Sequence, residues 1–173
     1  MLNVLYRKNQ SLRWLWLSIF IFILDQWSKS FIGHHFYVGE FYSLTPFLNI
    51  APAINTGASF GFLAQAGGWQ RWFFIILTII VCIFLLNWLA KLPKDKRFQA
   101  CALSLILGGA LGNFWDRLHL GYVNDFIDFH LGNWHFATFN IADSAISVGV
   151  VMLIISMIFF KTLLPLREKS DKR

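Results

Sequence analysis

The chain has 173 residues, of which 57% are hydrophobic, 18% aromatic and only 14% charged, and its mean hydropathy is +0.55. That composition is too apolar for an ordinary soluble domain and excludes both a disordered chain and a nucleic-acid module. The formal net charge of +6 comes from basic residues at the edges of apolar blocks, which is a membrane-topology pattern and not a phosphate-binding patch.

A bilayer core of about 30 Å takes about 20 mostly apolar helical residues, and four stretches approach that length: 14–33, 72–90, 98–115 and 141–160. The first, with Arg7, Lys8 and Arg13 before Trp14–Leu24, also has the form of a signal-peptide core. Trp27, Phe31 and Ile32 extend it and no small-residue cleavage site follows, so it is predicted to stay as a span. Arg7, Lys8 and Arg13, then Lys91, Lys94, Lys96 and Arg97, then Lys161 and the basic residues after it place twelve of the fifteen Lys and Arg on one side. The positive-inside rule makes that side cytoplasmic and puts both termini there. Segments 34–70 and 118–140 then face outward, and neither is long enough to bury a core of its own, so 1–173 reads as a single integral membrane domain. Phe36 to Ile50, rich in aromatics and broken by Gly39 and Pro46, reads as short strands or an interfacial piece with its rings at headgroup level. Cys82 and Cys101 lie in apolar stretches and read as packing residues.

Ionisable groups inside spans cost roughly 2.5–3.5 kcal/mol each on insertion scales, so each needs a reason. Asp25 and Lys29 lie about 16 and 22 Å along the first span from Trp14, at about 1.5 Å per residue. Asn113, Asp116 and Arg117 close the third span, Asp143 opens the fourth, and Asn55, Asp125 and Asn140 belong to the joining loops. One layer at the outer face therefore collects nearly every unexplained polar residue. Asp25 and Lys29, spaced i, i+4, read as a supporting ion pair. Asp116 and Arg117 are either an interfacial snorkelling pair or present Arg117 to a substrate. Gly108, Gly109 and Gly112 include a G-x-x-x-G spacing, which signals close helix packing.

Asp125 and Asp143 have no basic residue at i, i+3 or i+4. Two unpaired acids in one apolar layer raise each other's proton affinity, leaving one protonated and one ionised near neutral pH, a pair that can activate water. The plainer alternative is one exposed acid and one hydrogen-bonded within the bundle. Gly57-Ala58-Ser59-Phe60-Gly61 spells a nucleophile elbow, but that string works on a strand-to-helix turn of an α/β sheet that this chain cannot build. His34, His35, His119, His130 and His135 include no H-E-x-x-H, so no metal and no cofactor is expected. A small transporter or proton-relay protein is the serious rival, although transporters place their sites at mid-bilayer.

Five strings in order resemble the motif blocks of the lipoprotein signal peptidase (signal peptidase II) family. They are Asp25-Gln26-Trp27-Ser28-Lys29, Asn55 to Gly61, Gly108 to Arg117, Val123-Asn124-Asp125-Phe126-Ile127-Asp128 and Phe139-Asn140-Ile141-Ala142-Asp143. The resemblance implies an all-α bacterial inner-membrane aspartyl protease with four transmembrane helices, a small periplasmic β cradle and an amphipathic periplasmic helix. It implies cleavage of prolipoproteins before a diacylglyceryl-modified cysteine, with a site near the outer leaflet and membrane lipids as neighbours. By matching positions, Asp125 and Asp143 would be the catalytic pair; Asn55, Gly57, Asn113, Arg117 and Asn140 would position substrate and pair; Asp25 and Lys29 would support them. The expected state is a monomer without nucleic-acid partners. Ser59 stands where the family commonly has alanine, and is read as packing.

Overall fold

The computed structural model describes residues 10–58 and 62–160. Ser59 to Gly61 of the elbow string, Arg7, Lys8 and the basic residues from Lys161 onward lie outside the described residues. A 3₁₀ turn, Gln10–Trp14, leads into α1 (Leu15–His35); β1 (Tyr42–Thr45), β2 (Leu48–Asn55), α2 (Trp69–Lys91), α3 (Arg97–His119), β3 (Val123–Leu131), β4 (Trp134–His135) and α4 (Ile141–Phe160) follow. The four helices are long and apolar enough to cross a membrane, and they match the four spans read from hydropathy. The third span runs about a turn beyond its expected end at 115. Arg71 of α2 explains the extension, since its Nε donates to the Arg117 carbonyl at 2.8 Å and its Nη2 to the Leu118 carbonyl at 2.9 Å. These are among the terminal carbonyls that a helix cannot satisfy internally.

Apolar side chains face outward here, as a bilayer solvent demands: Ile19, Phe20, Ile23, Ile76, Ile80, Phe84, Val151 and Ile158 are all exposed. The interior is lined instead by small and polar residues along α3, the central helix, which packs on α1, α2 and α4. Modest van der Waals gains drive helix association in lipid, so close backbone approach matters. A side chain at Gly108 would strike Ser18 of α1, and one at Gly109 would strike the Ala142 carbonyl of α4. The G-x-x-x-G spacing thus serves helix packing, as expected. Leu85, Leu89, Ala100, Leu103 and Leu107 knit α2 to α3, with Cys82 in the same cluster. Both cysteines are free thiols.

At the end where α1 and α3 finish and α2 and α4 begin sits an antiparallel sheet of order β1-β2-β3-β4. Phe36 to Ile50 accordingly yields strands. Asn49 pairs with Asp128, Ala53 with Asp125, and His130 with His135. The register shifts between Ile50 and Ala53, where Pro52 has no N–H to give a ladder. In β3, the N–H groups of Phe126 and Ile127 both donate to the Phe139 carbonyl, at 3.0 and 2.8 Å. Two successive donors on one acceptor mark a β-bulge. Between β2 and α2 the described residues form bends and turns, with no counterpart among them to an amphipathic periplasmic helix.

Candidate active site

Lys29 is the hub of a buried ionic cluster between α1 and α3. Its Nζ lies 2.8 Å from Asp25 Oδ2, 3.0 Å from Asp116 Oδ2 and 3.1 Å from Asn113 Oδ1. Gln26 Nε2 donates to Asp25 Oδ2 at 3.1 Å, to the Gly112 carbonyl at 3.2 Å and to Asp116 Oδ1 at 2.9 Å, and so ties the two carboxylates together. Asp25 Oδ1 accepts the Ala142 N–H at 2.9 Å, in the first turn of α4. The i, i+4 pair is thus present as expected. Asp116, only 2% exposed, is not a snorkelling residue: it belongs to Lys29 and not to Arg117. Gly112 is required here, because any β-carbon would collide with the Asp25 carboxylate.

From this cluster, two amides carry the order onward. Asn113 Oδ1 accepts from Lys29 and, at 3.2 Å, from Asn140 Nδ2, so its Nδ2 is left to donate to Asp143 Oδ1 at 2.7 Å. Asn140 caps α4. Its Oδ1 accepts the Asp143 N–H at 2.9 Å while Asp143 Oδ2 accepts the Asn140 N–H at 3.2 Å, the reciprocal geometry of a capping box. With its Oδ1 so engaged, Asn140 turns Nδ2 toward Asp125 Oδ1 at 2.7 Å. Asn55, at the end of β2, donates to Asp125 Oδ2 at 2.9 Å.

The two acids that lacked a cation in the sequence therefore meet through Asn140. Each is held by amide donors, with no ion pair to either among the described residues. Both line a cavity of about 380 Å³ together with Asn55, Phe136, Thr138 and Ser144. A smaller cavity of about 230 Å³ continues along Asn55, Thr56 and Ala64 and shares Asp125 and Thr138. A larger one of about 450 Å³, lined by Lys29, Asp116, His34 and His119, reaches Asp125 but not Asp143, and chemistry that needs both acids cannot occur there. Burial, and after it the charge of Asp143, push the Asp125 carboxyl up to about 6, against the opposing pull of the Asn55 and Asn140 hydrogen bonds. A carboxyl raised to about 6 beside a second acid titrates together with it as a pair.

Arg117 lies one layer away. Its Nη2 donates to the Gly57 carbonyl at 2.8 Å and its guanidinium carbon sits 4.9 Å from the Phe74 ring centroid. Gly57 in turn donates its N–H to Asn55 Oδ1 at 3.0 Å, which leaves the Asn55 amide nitrogen for Asp125. Arg117 and Gly57 thus orient Asn55. Asp128 is buried but elsewhere engaged, by Asn49 and His135. Its separation from Asp125 rests on these partners; the strict alternation expected of the strand is interrupted by the bulge at Phe126 and Ile127. The nine residues singled out in the sequence form one connected network. Gln26, Asp116 as the partner of Lys29, and Arg71 were missed. Gln26 stood within a recognised string, and Arg71 is the single basic residue of its region at the start of a span. Among the described residues no cluster of three or more His, Cys, Asp or Glu could hold a metal ion.

Comparison with known proteins points the same way. The family model for "Signal peptidase (SPase) II" matches residues 17–159. A "Lipoprotein signal peptidase" of Coxiella burnetii (strain Dugway 5J108-111) is 49% identical over 152 residues, 88% of this chain and 93% of that protein. One from Cronobacter sakazakii (strain ATCC BAA-894) is 46% identical over 162 residues, 94% of this chain and 95% of that one. Among solved structures, one titled "Bacterial membrane enzyme structure by the in meso method at 2.3 A resolution" superposes with a TM-score of 0.80 at 34% identity. It covers 96% of this chain and 97% of its own.

Proposed function

This chain belongs to the signal peptidase II family, and on that premise we propose that it is an aspartic endopeptidase of the bacterial inner membrane. It removes signal peptides from diacylglyceryl-modified prolipoproteins by cleaving before the lipidated cysteine, with Asp125 and Asp143 as its catalytic pair. The observation that carries this reading is that the two carboxylates open on one cavity, linked by Asn140 and held by amides alone. With a cation beside them, both would stay ionised. With none bonded to either, burial and the neighbouring acid raise the proton affinity of Asp125 against the weaker pull of Lys29.

Chemistry follows from one proton shared by the pair. The ionised member takes a proton from a water whose oxygen bonds to the scissile carbonyl carbon, while the protonated member donates to the carbonyl oxygen. As the tetrahedral intermediate collapses, the C–N bond breaks, the carbonyl oxygen returns its proton to the pair, and the departing nitrogen receives the other. Asn55, Asn113 and Asn140 hold both acids in place through the reaction, and Asp25, Lys29 and Asp116 hold the amides.

The basic-residue pattern supports cytoplasmic termini, with the sheet and the pair at the outer leaflet, where a lipid-anchored cysteine resides. The enzyme acts as a monomer among membrane lipids. Transport is the less favoured reading, because the matching family is one of peptidases. The test is to incubate purified protein with a lipobox peptide in diacylated and unmodified forms. Cleavage of the diacylated form alone is expected; cleavage of neither, or of both at equal rates, contradicts the proposal.

A further inference from the structure

One buried acid takes no part in this chemistry. Asp128, 1% exposed, lies three residues along β3 from Asp125. Asn49 Nδ2 donates to its Oδ2 at 2.8 Å, and His135 Nδ1 donates to the same carboxylate at 2.9 and 3.0 Å. The imidazole is further clasped by the His130 ring, stacked at 5.1 Å with 17° between planes, and by the edge of Phe41 at 6.2 Å. His135 ends β4, a strand of only two residues, and so short a ladder is marginal by itself. Directly after it come Phe136, Ala137, Thr138 and Phe139, which line the cavity that holds both acids. The strap has one backbone bond at its start, Phe136 N–H to the Phe129 carbonyl at 2.8 Å, and Phe139 is pinned separately by backbone bonds to Phe126 and Ile127, so Asn140 keeps its anchor whatever happens at His135.

We propose that Asp128 and His135, with Asn49, form a latch that positions the 136–139 strap as a wall of the substrate cavity, and so set how tightly the lipidated peptide is held. This rests on the assignment of that cavity as the substrate site. Asp128 and His135 are positioning residues. Their loss removes binding common to ground and transition states, which raises KM and leaves kcat.

The experiment measures kcat, KM and thermal midpoint with the diacylated peptide for His135→Ala, His135→Asn and Asp128→Ala. The His135 side chain is 45% exposed, so its removal leaves folding intact even where Asp128→Ala, which hollows the interior, does not fold. His135→Ala is expected to raise KM about tenfold with kcat within about threefold. His135→Asn, whose amide nitrogen stands where Nδ1 does and can still donate to Asp128, should recover most of the loss; where Asp128→Ala folds, it should match His135→Ala, and adding it to His135→Ala should cost little more. An unchanged KM in His135→Ala, or a tenfold fall in kcat at constant KM, overturns the latch. Failure of the catalytic assignment reads differently, as retained kcat in Asp125→Asn.

Discussion

Two pairs of carboxylates sit side by side at the sheet end of this bundle and meet opposite fates. Asp25 and Asp116 share Lys29, with Gln26 bridging them; Asp125 and Asp143 share only Asn140, with Asn55 and Asn113 at the flanks. Asp25, Asp116 and Asp125 are buried and Asp143 is half-buried, and what most separates the pairs is the directly bonded cation. A lysine between two acids makes a scaffold with its charges settled. Amides satisfy lone pairs without neutralising charge, which leaves the second pair dependent on a proton. Asn113 joins the two, accepting from Lys29 on one side and donating to Asp143 on the other.

Removing the cation tests the contrast most severely. Lys29→Met leaves two buried acids without their partner and is expected to destabilise the fold by about 3–5 kcal/mol. Activity falls with it, since Asn113 is then free to flip. A depressed unfolding midpoint in detergent is the measure; a midpoint equal to that of the parent would mean the cluster is not a scaffold.

A smaller effect separates the pairs by pH. The Asp125 carboxyl is raised to about 6 in the fold against about 3.9 in an unfolded chain, so folding favours its protonated form. Its contribution to stability is fully present below pH about 4 and lost as pH rises through about 6, a swing of about 3 kcal/mol. The difference in stability between parent and Asp125→Asn, followed from pH 4 to pH 7, isolates this group: the variant should gain relative to the parent as pH rises. A flat difference would place Asp125 in a solvated or cation-paired setting.

Gly112→Ala probes the scaffold more gently. The added methyl meets the Asp25 carboxylate, and overpacking of this kind costs about 1–3 kcal/mol. A midpoint lowered by that amount is expected, with activity reduced less than in Lys29→Met. The smallest effects fall outside both pairs: Ser59→Ala and treatment with EDTA should each leave most activity. Loss on chelation would revive a metal mechanism, and loss in Ser59→Ala a serine one.

Much of this was legible before any coordinates, for reasons that differ by residue. Spans follow from hydropathy because a single long apolar segment in lipid can satisfy its backbone internally only as a helix, and Asp25 with Lys29 follows from i, i+4 spacing because both lie on one helix. The partner of Asp116 was not legible, because Lys29 lies on another helix while Arg117 is adjacent in the chain. The Asn140–Asp143 capping box was present as N-x-x-D at the start of a span, yet its second role, aiming an amide at Asp125, depends on how β3 docks. Strand alternation alone would put Asp125 and Asp128, three residues apart, on opposite faces. A bulge that depends on the Phe139 carbonyl breaks the alternation, and hydrogen-bond partners decide the matter instead.

The central claim is that the pair without a cation does the chemistry. Asn replaces Asp almost isosterically but cannot accept the proton of the attacking water. Turnover of the diacylated peptide and thermal midpoint should therefore be measured on the same preparations of Asp125→Asn and Asp143→Asn. Each variant is expected to lose at least about a hundredfold in turnover while unfolding at or above the parent's midpoint, because repulsion within the pair is relieved. Parental turnover in either variant, or inactivity that tracks a collapsed midpoint, would contradict it.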